Sequence, residues 1–213
     1  MELRPDACWT PPVPVNILLC AMDSLDLADV GGSLRGDGQA FARIVGRHQP
    51  QITARMWRFT HDRNRLEELV QEVFVECYVN LRSFKATGPF SHWLNAIATR
   101  VGYRYWKRQK QRASRTINLQ DWDLPVLARQ EQPDPQRVGE ALHALLARLP
   151  ARDRLVLTLM YLEELSVAKV AEQTGWSLTM VKVQAHRARK KLRALLEKSG
   201  LAARLPVPPV HPP

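Results

Sequence analysis

The chain has 213 residues, enough for one medium-sized domain or two small ones, and its 45% hydrophobic content predicts a buried core. Its formal net charge of +10 favours a polyanionic partner, either nucleic acid or an acidic membrane surface. The three cysteines are widely spaced and form no zinc-binding pattern, which argues against a disulfide framework or a metal site and fits a reducing cytoplasm. No apolar run approaches the roughly 18 residues of a membrane helix, so we expect no membrane insertion.

The N-terminal segment differs from the rest of the chain. Residues 1–21 contain four prolines and show no helical periodicity, so we expect a flexible tail over residues 1–34. The polar, acidic segment that begins at Met22 has the character of a natural N-terminus before the first predicted helix. It raises the hypothesis that translation of the native protein begins there, which an intact mass would test.

Helical periodicity begins near Asp37. A short apolar face, expected to be interrupted at Pro50, is followed by a second segment and then by a predicted helix from Arg63 to Arg82. One face of that helix is apolar and should enter the core. The opposite face carries Glu68, Gln71, Glu72, Val75 and Val79. This second face is either a docking surface for a helical partner or a solvated acidic face.

A loop from Ser83 to Pro89 precedes a basic, aromatic helix within Gly88–Arg112. On this helix Arg100, Tyr103 and Lys107 share one flank, and the spacing places Trp106 nearly opposite the apolar stripe. Exposed rings among cations suit single-stranded nucleic acid, because stacking contributes roughly 1–3 kcal/mol per base. The alternative is a solvated basic face whose rings pack under a neighbouring segment.

Residues 113–136 combine four acidic residues and three prolines and predict an extended linker. The linker separates a first domain of about 35–112 from a second of about 137–198. Residues 199–213 form a proline-rich tail, which favours a polyproline II conformation.

A helix-turn-helix is the most specific local pattern in the second domain. Ser166 can cap a short helix that ends at Gly175, and another helix begins at Leu178. We expect Leu178, Val181, Ala185, Ala188, Leu192 and Leu195 to form its buried stripe. The opposite face suits the major groove, with Lys182, Arg189 and Lys191 on its flanks for phosphates. The alternative is an amphipathic helix with a basic solvent face.

Five segments occur in the order typical of one protein family. They are GDGQAF, LEELVQEVF, FSHWLNAIA, LPARDRLVLTLMYLEELSVAKVAEQTG and VKVQAHRARKKLRALL. From Gly36 to Glu197 the chain therefore resembles bacterial sigma-70 factors of the extracytoplasmic-function type. The resemblance implies an all-α fold of two small helical domains joined by an extended linker, the C-terminal one a helix-turn-helix. It also implies a non-enzymatic, cofactor-free protein that binds core RNA polymerase, reads the −35 promoter element and melts the −10 element.

The resemblance also implies site residues and partners. Docking on the β′ clamp helices would use Glu68, Gln71, Glu72, Phe74 and Val75. Contacts to the −10 element would use Phe84, Lys85, Arg100, Tyr103, Arg104, Trp106 and Lys107. Contacts to the −35 element would use Thr179, Lys182, Val183, His186, Arg187 and Lys190. The further partners implied are the polymerase β flap, promoter DNA and an anti-sigma factor.

The chain departs from the family pattern at several of these positions. The family often has Asn at the place of Arg100 and Asp at the place of Arg104, a basic residue is common at Gln184, and Val183 replaces a small polar residue. Promoter preference therefore does not follow from the resemblance.

Two other functions stay open at this point. A stand-alone helix-turn-helix regulator would use only residues 166–196. A DNA recombinase would need a nucleophilic Ser or Tyr among arginines in a catalytic domain, whereas residues 37–112 read as entirely helical.

Overall fold

The computed structural model describes the backbone of residues 15–115 and 135–198, and the side chains of residues 23–112, 139 and 142–198. These residues form helices without any strand, so the predicted all-α class is confirmed. The helices are α1 (Val15–Leu34), α2 (Gly38–Met56), α3 (Arg63–Val79), α4 (Phe90–Arg115), α5 (Pro135–Arg148), α6 (Ala151–Leu157), α7 (Val167–Thr174) and α8 (Leu178–Lys198). Short 3₁₀ and π turns follow α3 (Leu81–Ser83) and α6 (Thr158–Leu162). Within the described ranges no helix is both long and apolar enough to cross a bilayer.

Helices α1 to α4 form the N-terminal unit. Helix α2 packs on α1, α3 and α4, and α3 packs on α4. Helices α2, α3 and α4 contribute apolar side chains at helical spacing to one core, and α1 adds Val30. The fully buried members include Ile44, Ile52, Met56, Val73, Leu94, Ile97 and Val101.

The prediction of a flexible tail over residues 1–34 is wrong for the described part of that segment. Helix α1 packs on α2 because it carries buried carboxylates opposite a basic face. Asp29 accepts hydrogen bonds from Arg43 and Arg47, and Asp26 contacts Arg47 and, at 2.9 Å, His48 Nε2. The hydrogen bond from Arg43 lowers the pKa of Asp29, so these ion pairs hold the helix in place. Residues 1–14 lie outside the described residues.

The expected interruption at Pro50 is also wrong, because α2 continues through it to Met56. Proline removes one backbone hydrogen bond from a helix. Ile44 and Ile52 are buried on the two sides of Pro50. Their packing holds the helix together across the missing bond.

Helices α5 to α8 form the C-terminal unit. Helix α8 packs along α6 and α7, and α5 closes the unit against α6 and α8. Both ends of the predicted 113–136 linker are helical, since α4 extends to Arg115 and α5 begins at Pro135. Residues 116–134 and the 199–213 tail lie outside the described residues. The two units are in contact, with α6 and α7 packed on α4.

Candidate nucleic-acid interface

The helix-turn-helix is fixed by its caps. Ser166 Oγ accepts a hydrogen bond from the Lys169 amide at 3.3 Å and caps α7. Gly175 ends that helix with a φ of 73°, a left-handed conformation that glycine adopts without the steric cost of a Cβ. Helix α8 then begins at Leu178. The sequence pattern therefore identifies both helices and the turn.

Helix α8 presents all of its predicted −35 contacts to solvent. The valine among them is 44% exposed, and its neighbours on this face are polar or cationic. The exposed residues are Thr179, Lys182, Val183, His186, Arg187 and Lys190. A helix with such a face can enter a major groove and hydrogen-bond to base edges.

The buried stripe of α8 is narrower than expected. Val181, Ala185 and Ala188 are buried, and Leu192 and Leu195 are partly buried. The prediction for Leu178 is wrong, because its side chain is exposed. It is the first residue of α8, and burial against the rest of the unit starts one turn later at Val181.

A fully buried carboxylate, which sequence reasoning missed, holds α8 against α6. Asp153 Oδ1 accepts a hydrogen bond from Gln184 Nε2 at 2.5 Å, and Lys191 Nζ contacts its Oδ2 at 2.7 Å. Arg189 donates to the Tyr161 hydroxyl at 3.1 Å. Lys191 and Arg189, both predicted to contact phosphates, are thus engaged with the protein's own side chains.

The outward face of α3 combines carboxylates with exposed apolar groups. Gln71 and Glu68 are exposed, and the Glu68 carboxylate pairs with Arg65 at 2.6 Å. Val75 is 61% exposed. Next to it Tyr78 and Val79 are also exposed, so this face has the composition of a docking surface. Phe74, which the family resemblance places at this site, is buried beneath it.

Glu72 faces α4 rather than standing free. Its carboxylate contacts Arg104 and Arg108, each at 3.1 Å, and Arg104 also pairs with Glu76. Arg104 is predicted to engage the −10 strand, and the structure places it in this ion-pair cluster. The cluster holds α3 and α4 side by side and leaves Arg104 only partly exposed.

The remaining predicted −10 residues divide into exposed cations and partly covered rings. Lys85, Arg100 and Lys107 are exposed. Phe84 packs against Phe90 and Trp93, with centroid distances of 5.3 and 5.5 Å. The ring of Tyr103 lies edge-on to Trp176 of the helix-turn-helix turn, 6.4 Å between centroids, and is partly buried.

The expected exposure of Trp106 is wrong, because the side chain is only 3% exposed. Its Nε1–H donates to the Phe59 carbonyl at 2.9 Å, and the two rings lie 4.5 Å apart. The Arg154 guanidinium of the C-terminal unit lies 4.0 Å from the Trp106 centroid. Burial lowers the pKa of Arg154 to about 10. On the side of α4 opposite its apolar stripe, Trp106 is therefore buried, whereas Lys107 is exposed.

The described part of the chain contains no cluster of three or more His, Cys, Asp or Glu side chains placed to hold a metal ion. Burial raises the pKa of Cys77 to about 12, so its thiol stays protonated and unreactive.

Two family models match the two units of the chain. The model described as Sigma-70 region 2 matches residues 44–112, and Sigma-70, region 4 matches residues 139–192. The ECF RNA polymerase sigma factor SigF of Caulobacter vibrioides is 33% identical over 133 residues, which cover 62% of this chain and 70% of that protein. The ECF RNA polymerase sigma factor SigW of Bacillus subtilis is 28% identical over 171 residues, which cover 76% and 91%.

Solved structures share the fold. CnrH, in complex with the cytosolic domain of CnrY, matches with a TM-score of 0.54 at 23% identity, covering 82% of this chain and 98% of that chain. The sigma factor RpoE of Bartonella quintana, in complex with the anti-sigma factor NepR, matches with a TM-score of 0.51 at 19% identity, covering 74% and 96%.

Proposed function

The chain belongs to the extracytoplasmic-function group of the sigma-70 family of RNA polymerase sigma factors, and we propose how its two helical units divide promoter-specific transcription initiation between them. One observation carries the assignment: a single chain combines an exposed basic reading face on α8 with an exposed acidic and apolar face on α3. The first suits duplex DNA, and the second suits a protein partner.

The C-terminal unit reads the −35 element through α8. Arg187 and His186 can donate to base edges, and the Val183 methyl groups can contact a thymine methyl. Lys182 and Lys190 add charge for phosphates or bases. Asp153 supports this recognition of DNA because it holds the side chains of Gln184 and Lys191 against α6 and so fixes the orientation of α8 on α6.

The N-terminal unit binds polymerase through α3. Its exposed Glu68, Gln71 and Val75 fit the β′ clamp helices, with buried Phe74 supporting the face from within. Glu72 contributes from the edge of this face, where it is shared with Arg104 and Arg108. An apolar centre with charged surroundings is the usual composition of a protein interface.

The same unit engages the −10 element on the side of α4. Lys85, Arg100 and Lys107 are exposed cations that can follow the backbone of a melted strand. The rings of Tyr103 and Phe84 are the adjacent candidates for base stacking. Unstacking a base costs a few kcal/mol, so the melted strand needs contacts that only the polymerase complex assembles.

Partners and location follow from the proposed role. We assign the cytoplasm because core polymerase and promoter DNA are there. The solved relative RpoE is in complex with the anti-sigma factor NepR, and we extend an anti-sigma partner of this kind to the present chain. Sigma-70 family factors are in general not enzymes, and we assign no catalytic residue.

The two alternative functions fit less well. A stand-alone regulator uses the helix-turn-helix but gives no role to the exposed face of α3. A recombinase with an α/β catalytic domain does not fit residues 15–115, which form helices without a strand.

Core polymerase binding and promoter-dependent transcription with purified components test the assignment. We expect the wild-type protein to form a complex and to direct initiation, whereas Val75→Glu weakens the complex by placing a charge at an apolar contact. Gln51→Glu is the matched control, since it adds the same charge at an exposed position on α2, away from the assigned face of α3. Failure of the wild-type protein to bind core polymerase would refute the function, and equal binding by Val75→Glu would refute the docking face.

A further inference from the structure

We propose that Asp153 of α6 is a positioning residue that determines promoter specificity, because it holds Gln184 and Lys191 of α8 away from DNA. Arg187 is then the side chain on this flank of α8 that is left to read a base. This role of Asp153 rests on the −35 recognition assigned to α8 above. It adds to that recognition a residue that does not itself contact DNA.

The carboxylate of Asp153 lies between two side chains of α8. Its Oδ1 accepts a hydrogen bond from Gln184 Nε2 at 2.5 Å, and Lys191 Nζ contacts its Oδ2 at 2.7 Å. Gln184 and Lys191 are seven residues apart, which is close to two helical turns, so both project from the same side of α8. Asp153 therefore joins one point of α6 to two points of α8 that are about 10 Å apart along the helix axis.

Small residues of α8 bring α6 within reach of this contact. Ala185 and Ala188 lie between the two polar side chains in sequence and are 2% and 0% exposed. Their methyl groups let the two helices pack closely. Asp153 lies in the first turn of α6, where the helix dipole favours a negative charge. The carboxylate is thus both fully buried and fixed in position.

Arg187 occupies the position between the two restrained side chains. It follows Gln184 by three residues and precedes Lys191 by four, the spacings at which side chains are neighbours on a helix surface. Arg187 itself is exposed. With both neighbours bound to Asp153, Arg187 is the one of the three that is left for a base edge.

The side chains that Asp153 restrains have their own DNA chemistry. A glutamine amide pairs with adenine, whereas an arginine guanidinium pairs with guanine. A released Gln184 would therefore add a second base preference beside Arg187. A released Lys191 would add a phosphate contact, which carries no sequence information. Restraint of both keeps the base preference of this flank to a single side chain.

Stability alone does not account for a charge at this position. Removal of two charges from water offsets much of the attraction between them, and apolar residues of similar volume are often equally stable in place of a buried ion pair. Asp153 is 0% exposed, whereas the Lys191 side chain is 52% exposed. The lysine therefore lies at the surface, where a phosphate could compete for it if the carboxylate were absent.

The salt dependence of DNA binding tests the restraint of Lys191. The full-length protein is titrated with a short fluorescent duplex of random sequence at several KCl concentrations, and anisotropy gives the affinity. Asp153→Asn keeps an acceptor oxygen for Gln184 but releases Lys191, so the plot of log affinity against log salt should become steeper by about 0.9, the value for one added phosphate contact. Asp153→Asn combined with Lys191→Gln should return the slope to that of the wild type.

Transcription from promoters randomised across the −35 element tests the effect on base preference. The leucine pair, Asp153→Leu combined with Lys191→Leu, replaces the ion pair by apolar side chains and releases Gln184 alone. At the base position where Arg187→Ala relaxes the preference, we expect the leucine pair to lose roughly tenfold in discrimination and to gain adenine. Its salt slope should match that of the wild type, because no cation is released. A variant that only loosened the fold would not change the identity of the preferred base.

Glu197→Gln is the matched control for Asp153→Asn, since it removes the same charge from an exposed position on α8. A slope of Asp153→Asn equal to that of this control, or one that stays steep after Lys191→Gln, overturns the restraint of Lys191. An unaltered base preference in the leucine pair overturns the effect on Arg187. The leucine pair also decides the question if Asp153→Asn does not fold, because it leaves no buried charge.

The outcomes also separate this role of Asp153 from the sigma-factor function. If the wild-type protein does not bind core polymerase, the function fails, and the salt slopes on free duplex still decide whether Asp153 restrains Lys191. If the wild-type protein binds polymerase but Asp153→Asn leaves the slope unchanged, the role of Asp153 fails and the function stands. Absence of any binding of the wild-type protein to duplex would refute α8 as the reading helix and the role of Asp153 with it.

Discussion

Helices α8 and α4 are both basic and amphipathic, yet their functional faces have different environments. Helix α8 packs on its own unit along one stripe, and the whole face opposite that stripe is exposed. Helix α4 packs on its own unit along one stripe and on α6 and α7 along another. Periodicity therefore identifies the face that a helix turns towards its own core, but it cannot reveal a second layer that covers the opposite face.

Among the variants that test this difference between α4 and α8, truncation of Trp106 should have the largest effect. Trp106→Ala removes a buried ring that packs on Phe59 and lies under Arg154, and we expect a loss of about 3–5 kcal/mol in the free energy of unfolding. The matched control is Trp57→Ala, since Trp57 is 42% exposed and should cost much less. Urea denaturation followed by circular dichroism measures both. Unchanged stability with lost −10 melting would instead identify Trp106 as an exposed stacking ring.

Gly102 tests the close approach that buries Trp106. A Cβ at this position would overlap with the Phe59 ring, so Gly102→Ala should lower the free energy of unfolding by about 1–3 kcal/mol through overpacking. Gly46→Ala is the control, because a Cβ there meets no neighbouring atom and helix propensity favours alanine by about 0.5–1 kcal/mol. Thermal melts of the pair should move in opposite directions. A stable Gly102→Ala variant would contradict the tight packing of Phe59 on α4.

Arg187 tests whether the exposed face of α8 reads the −35 element. Arg187→Ala should remove about 1–3 kcal/mol of discrimination between promoters with intact and altered −35 elements, while the free energy of unfolding stays unchanged. Arg193→Ala, an exposed arginine on the same helix, should weaken binding without changing the preference. Transcription from a set of −35 variants measures the difference. An unaltered promoter profile would place the reading face elsewhere.

The parts of the structure that could be predicted from the sequence are those fixed by local contacts. Ser166 and Gly175 cap α7 through neighbours a few residues away, so their pattern is visible in the chain itself. The predicted exposure of Trp106 is wrong because its ring is buried partly by Arg154, which belongs to the other unit. The same reason hides the bond between Arg55 and Gln173, whose partners are 118 positions apart. Polar residues that pair across helices look in sequence like residues that face water. Asp26 and Asp29, which pair with α2, lie in the segment for which the sequence predicts a flexible tail.

The smallest predicted effect is a pH dependence of the contact between the units. His143 of α5 lies edge-on to His61 of the N-terminal unit, with 4.3 Å between ring centroids. Burial, and to a smaller extent the neighbouring charges of His61, Arg154 and Arg58, together lower the pKa of His143 from 6.5 to about 4. The contact between the units therefore favours neutral His143, and a proton binds more readily once the units separate.

The direction of the pH dependence follows from this lowered pKa of His143. The contribution of His143 to the contact between the units is complete above about pH 6.5 and is lost as the pH falls towards 4. We expect the radius of gyration of the free protein to increase as the pH is lowered from 7 to 5, and His143→Gln, which cannot take up a proton, to reduce that increase. His92→Gln is the control, since His92 is exposed on α4 and should leave the dependence intact. An equal expansion in His143→Gln would show that acid opens the contact through other groups, and the histidine pair would then be only a packing contact.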